Sequence, residues 1–198
     1  MRCFVIIYHG TISTSVEKII SNGIDLKKGK PNVDFGQGFY TTPIKSFALN
    51  TARNKTMKTN THKGYKYCYP SIISFDFDEE RSSKLNILKF QRKDTNWAQF
   101  VVNNRNGFEY IKSIESKFHN LYGYFDIVDG EIADNKITRL AQELKLLKEK
   151  VEKEDLNVCS YQYPTRQISF HTNSSLKCLT LKDVFIVPMD GGNLNEKF

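Results

Sequence analysis

Two short stretches concentrate the residue types that could grip a small polar ligand. Tyr8-His9-Gly10-Thr11 closes an apolar run, and Asp34-Phe35-Gly36-Gln37-Gly38-Phe39-Tyr40-Thr41-Thr42 follows further along. A histidine offers a directed hydrogen bond and a tyrosine a stacking face. Closely spaced glycines let backbone amides approach a ligand with no Cβ in the way. That set suits a flat polar ring, and so a nucleotide cofactor. Each residue also has a plainer reading: His9 as a satisfied histidine at a strand end, Tyr40 as a core aromatic. The pairing of the two motifs and the flanking glycines favour the pocket.

Other chemistries have less support. Cys3, Cys68, Cys159 and Cys178 are scattered and contain no C-x-x-C pair, which points to reduced, buried thiols. The four histidines, His9, His62, His119 and His171, are far apart, so no metal is expected. The net charge is +7, and between Lys27 and Lys66 nine basic residues face a single acid, Asp34. Such a segment is either a solvated lysine-rich surface or an attractor for a pyrophosphate or polyanion.

The elements that must position these residues follow from periodicity. Cys3 to Tyr8 reads as a buried strand. Thr14-Ser15-Val16-Glu17 fits a capping box for a short helix that ends at Gly23. Gly38 to Thr42 is a short strand, with a helix from Pro43 to about Arg53. Asn54 to Tyr69 has no clean period and reads as a loop running into a strand. Ser71 to Phe77 alternates as a half-buried strand. Asp94 or Thr95 caps a helix through Asn103, in which Trp97 and Phe100 are core. Tyr124 to Val128 is a strand, and a long amphipathic helix runs from Asp134 through Val151. Gln167 to Phe170 is a strand, Asn173 to Cys178 a helix capped by Thr172, and Thr180 to Val187 a last strand. The irregular alternation implies an α+β fold, with a split or mixed sheet rather than a doubly wound one. Residues 1–190 read as a single domain and 191–198 as a flexible tail. No apolar run approaches the roughly 20 residues of a membrane span. The N-terminal run is too short for a secretory signal, so the expectation is a cytoplasmic protein with no membrane partner.

Taken together, YHGT, DFGQGFYTT and RQISFHT resemble the H-Y-E ADP-ribosyltransferase superfamily, which includes diphtheria toxin and the poly(ADP-ribose) polymerases. More narrowly, the chain resembles a bacterial domain family of unknown function within it. That narrower likeness rests on Phe100-Val101-Val102-Asn103-Asn104-Arg105 and on the segment from Asp126 to Asp134. The resemblance implies a split β-sheet sandwich with flanking helices, and a cleft that binds NAD. His9 would bind the adenine-side ribose and the Gly10 backbone the nicotinamide carboxamide. Thr11 would contact ribose, and Tyr40 would stack on the ring. Phe39 and Arg105 complete the cofactor-binding set, although Arg105 reads equally as the partner of a buried carboxylate such as Asp126.

The chain departs from that pattern where the superfamily has its catalytic glutamate, because the matching place holds Gln167. A neutral acceptor hydrogen bond is worth about 1 kcal/mol, against about 1.5–3 for a charged one. A slower, single ADP-ribose transfer is then implied, with Gln167 first and Asp126 second as the acceptor group, and Glu131 or Asp129 nearby. The resemblance implies a toxin-type effector with a small antitoxin protein as a partner, and the basic segment alone points to a nucleic acid or a nucleic-acid-handling protein as its target. The rival readings are a catalytically idle NAD or ADP-ribose sensor and a basic nucleic-acid-binding protein. His171, in an alternating strand, reads as structural.

Overall fold

The computed structural model describes residues 4–62, 67–158 and 165–188. Cys3, Cys159, Lys63, Lys66 and the tail expected at 191–198 lie outside the described residues. The fold is α+β, with two sheets and several helices. In chain order come β1 (Phe4–Ile12), α1 (Ser13–Asn22), β2 (Phe39–Thr41), α2 (Lys45–His62), β3 (Pro70–Asp78), α3 (Glu79–Ser82) and β4 (Ile87–Lys89). Then follow α4 (Thr95–Asn106), α5 (Phe108–Ser113), β5 (Ile127–Glu131), α6 (Asn135–Leu147), β6 (Arg166–Phe170), α7 (Asn173–Leu176) and β7 (Leu179–Ile186). Two compact units emerge: Met1–Asp25, Tyr40–Lys84 and Ser174–Phe198 form the first, Leu26–Phe39 and Leu85–Asn173 the second.

The first unit is built on the sheet β1-β3-β7. β1 runs antiparallel to β3, from Phe4 opposite Asp78 to Ile12 opposite Pro70. β3 is central and nearly continuously buried, because Ser71 and Ser74 are covered as well as Ile73, Phe75 and Phe77. The half-buried reading of this strand is therefore corrected. Ser74 spends its hydroxyl on the backbone of Asp183, at an irregularity in the β3–β7 pairing.

α2 packs on β1 and β3 and runs to His62, so Asn54 to His62 is helical and not the expected loop. Its buried stripe is Ala48, Ala52 and Thr56. Three small residues at four-residue steps bring a helix close to a sheet while carrying almost no apolar signal. At its far end, Asn60 clasps Cys68, exchanging hydrogen bonds with its backbone N–H and C=O, both at 3.0 Å. α1 begins after Ile12 with no side-chain cap, so the expected capping box does not form, while Gly23 ends the helix at φ +78° as expected.

The other sheet has the order β2-β6-β5-β4, and its strands β6, β5 and β4 belong to the second unit. β5 is antiparallel to β6, with Gly130 opposite Gln167, and parallel to β4. α4 starts where the Asp94 carboxylate accepts from Trp97 N at 3.0 Å, and it buries Trp97, Phe100, Val101 and Val102. The rings of Phe35, Phe90, Phe100 and Phe118 pack together beside it.

The strand expected at Tyr124 to Val128 forms three residues later. The Asn120 side chain holds Phe125 at both backbone groups, and Gly123 turns at φ +68°, which keeps the preceding stretch in a loop. α6 is capped by Asp134 and buries Ile137, Leu140, Ala141 and Leu144. It stops at Lys148 in the left-handed region, so Leu147 is exposed and Val151 is buried beyond the helix. Cys68 and Cys178 are buried. Among the described residues, no helix is long and apolar enough to cross a membrane.

Candidate functional site

His9, Gly10 and Thr11 sit inside β1 and do not end it. Tyr8 exchanges both backbone hydrogen bonds with Thr42, at 2.8 and 2.9 Å, along the outer edge of the strand. Backbone groups alternate in direction along a strand. The N–H and C=O of Gly10, two residues on, therefore face the same edge. The ammonium of Lys55, from α2, donates to the Gly10 carbonyl at 2.8 Å.

The His9 ring lies half-buried beside this edge, and its Nδ1 is 2.7 Å from the carbonyl oxygen of Tyr40. A carbonyl only accepts, so Nδ1 carries the proton and Nε2 is the ring's acceptor nitrogen. Desolvation by burial, reinforced by the charge of Lys55, pushes the imidazole down to about 3, while the bond to Tyr40 opposes the shift. His9 is thus a neutral ring of fixed tautomer. Tyr40 is half-buried, and Thr11 is buried.

The glycines serve packing more than ligand approach. A Cβ on Gly10 would lie 2.0 Å from the carbonyl oxygen of Ala48, so the residue is glycine because α2 crosses it. A Cβ on Gly38 would lie 2.7 Å from both His171 Nδ1 and the Phe170 carbonyl oxygen, and Gly36 adopts φ +88°.

The second unit holds a polar cluster centred on Asp34, which is buried. Its Oδ1 accepts from Arg105 Nε at 2.7 Å and Nη2 at 2.6 Å. Its Oδ2 accepts from the backbone N–H of Ala133 at 3.1 Å and from Gln167 Nε2 at 2.8 Å. Arg105 Nη1 donates in turn to Thr138 Oγ1 at 2.6 Å. The buried carboxylate expected for Arg105 therefore exists, but it is Asp34 and not Asp126.

Asp126 accepts from Asn86 N at 3.0 Å and from Thr172 Oγ1 at 2.5 Å. Asp129 pairs with Arg166 through two hydrogen bonds, at 2.6 and 2.5 Å. Glu131 lines a cavity of about 190 Å³ with Phe90, Gln91, Gly130, Thr165 and Arg166. His171 bridges the Gln37 carbonyl at 2.9 Å and Ser169 Oγ at 2.8 Å, and burial pushes it down to about 4. It follows β6 and so does not sit in the alternating strand expected for it. Phe39 is buried. Among the described residues, no group of three or more His, Cys, Asp or Glu could hold a metal ion.

An α+β chain with two sheets, a neutral edge histidine and a carboxylate-centred polar cluster is the class these features define. A family model described as "Protein of unknown function (DUF3990)" matches residues 5–181, and the chain belongs to that family. No curated protein and no solved structure matches the chain.

Proposed function

We propose that this protein is an NAD-dependent mono-ADP-ribosyltransferase, a toxin-type effector acting on a nucleic acid or a nucleic-acid-handling protein and countered by a small antitoxin partner. The observation that carries the reading is the grouping of His9, Gly10 and Tyr40 in one unit, with His9 bonded to Tyr40. A neutral ring whose Nε2 accepts suits a ribose hydroxyl. The edge-facing N–H and C=O of Gly10 suit the donor and acceptor of a carboxamide, which competes with Lys55 for the carbonyl. The half-buried Tyr40 supplies the stacking face.

In the reaction, the C1′–N bond of the nicotinamide-side ribose breaks and nicotinamide leaves as a neutral molecule. The acceptor nucleophile then bonds C1′ and gives up its proton. Positive charge grows on the sugar in the transition state, so a group that accepts from the ribose hydroxyls lowers the barrier by differential binding. Gln167 is the residue to which the family likeness gives that role.

A second reading, NAD or ADP-ribose binding without turnover, is favoured by one fact: Gln167 carries no charge. Incubation with NAD separates the two. Nicotinamide release that is lost in Gln167→Ala supports the transferase, whereas NAD binding with no release from any cell extract supports the sensor. Salt-sensitive nucleic-acid binding, indifferent to His9→Ala and Tyr40→Ala and without NAD binding, would sink both.

A further inference from the structure

We propose that Asp34 is a positioning residue that turns Gln167 into an acceptor, so that the two side chains together do the work of a single glutamate. The inference rests on the transferase reading for its catalytic consequence, and on the geometry of the second unit alone for its structural part.

A carboxylate has no proton to give, so the carboxamide of Gln167 must turn its NH2 toward Asp34 Oδ2, 2.8 Å away. The opposite end of the amide is then its oxygen. Gln167 Oε1 accepts from none of the described residues, and it is not among their fully buried unpartnered side-chain atoms, which are Thr56 Oγ1 and Asn103 Oδ1. An amide free to flip would present donor and acceptor alternately. This one presents the acceptor, the end that a ribose hydroxyl or a developing cation requires.

The orientation is rigid because Asp34 is itself fixed on both oxygens, by Arg105 and by Ala133 N, and Arg105 is anchored on Thr138. The register of β5 and β6, with Gly130 opposite Gln167, fixes the backbone from which the amide projects.

The pair also accounts for the missing glutamate. A carboxylate at position 167 would face Asp34 across the same 2.8 Å. Two like charges at that separation cannot both ionise. With Gln167 the cluster is balanced, one Asp34 against one Arg105. Glutamine at 167 and aspartate at 34 are therefore a matched choice, and exchanging the charge between the two positions keeps the balance.

The test compares wild type with Asp34→Asn, Gln167→Glu and the double variant, by thermal unfolding and by kcat and KM for nicotinamide release between pH 6 and 9. In Asp34→Asn the amide is freed, and kcat falls about tenfold with KM changed much less, the loss of one oriented hydrogen bond. Gln167→Glu unfolds at lower temperature near neutral pH and gains a titration in kcat that wild type lacks. Its carboxyl faces Asp34 and Arg105, with the Asp129–Arg166 pair one residue along and His171 just past the end of the strand. The double variant restores the melting temperature, recovers kcat and removes the new titration. Gln167→Glu with unchanged stability, undiminished kcat and no new titration overturns the proposal, as does Asp34→Asn with wild-type kcat. If wild type neither binds NAD nor releases nicotinamide, the transferase reading fails and the catalytic proposal with it. The melting temperatures would still decide separately whether the two positions are charge-matched.

Discussion

His9 Nδ1 donates to the carbonyl oxygen of Tyr40 at 2.7 Å, joining residues 31 apart in the chain. This bond settles which nitrogen of the ring carries the proton. Burial and the neighbouring Lys55 settle that it carries only one, by pushing the imidazole down to about 3. His9 therefore presents the same face to a ligand throughout the physiological range, and any pH dependence of ligand binding between pH 6 and 8 must come from another group.

Stability, by contrast, should depend on pH through the histidines. His9 and His171 ionise near 3 and 4 in the folded protein, against an ordinary value of 6.5. Between those values and 6.5 the unfolded chain binds the additional protons, so stability rises with pH. The contribution is complete above about pH 7 and is lost progressively as pH falls from 6.5 toward about 4 for His171 and about 3 for His9. Each histidine accounts for about 1–2 kcal/mol between pH 7 and 5. Urea unfolding at the two pH values measures the sum, and His171→Gln should shrink the difference. A midpoint that does not move between pH 7 and 5 would contradict the assignment.

Gly10→Ala should damage the first unit. The new Cβ would meet the Ala48 carbonyl oxygen at 2.0 Å and its carbon at 2.8 Å, and backbone cannot rotate aside as a side chain can. α2 must lift from β1, at a cost of about 3 kcal/mol or more, at the upper end of overpacking penalties. Thermal unfolding tests this, and a wild-type melting temperature would mean that α2 is not seated on Gly10.

Arg105→Ala removes the cation from a largely buried pair and strands the Asp34 carboxylate. The expected loss is about 3 kcal/mol, at the low end for such pairs because Arg105 keeps 22% of its side chain exposed. Arg105→Lys should recover only part of it, because an ammonium cannot reproduce the two-nitrogen grip on Oδ1 together with the bond to Thr138. Equal stability of the lysine variant and wild type would show that charge alone matters there.

Much of the fold was legible where burial imposed a period. The cap at Asp94 and the stripe Ile137, Leu140, Ala141, Leu144 speak directly from the sequence, whereas β3 alternates in sequence but is covered on nearly all its length. α2 was legible only in its first half, because its buried face is Ala48, Ala52 and Thr56 amid lysines and asparagines. β5 was misplaced by three residues because Tyr124 read as a strand aromatic, whereas it is exposed on the loop held by Asn120. The bond from His9 reaches the backbone carbonyl of Tyr40, a group every residue carries, so residue types alone do not specify it. Nor was the role of Asp34 legible, because no local pattern tells a lone acid that it will receive Arg105 from α4 and Gln167 from β6.

The central claim is that the His9–Gly10–Tyr40 group receives the nicotinamide half of NAD. Its most direct test is NAD binding, measured calorimetrically alongside nicotinamide release, for wild type, His9→Ala and Tyr40→Ala, with circular dichroism to confirm that each variant folds. The account predicts that wild type binds NAD and that each substitution weakens binding at least tenfold, the loss of one hydrogen bond or one stacking face. Failure of folded wild type to bind NAD, or binding indifferent to both substitutions, would contradict it.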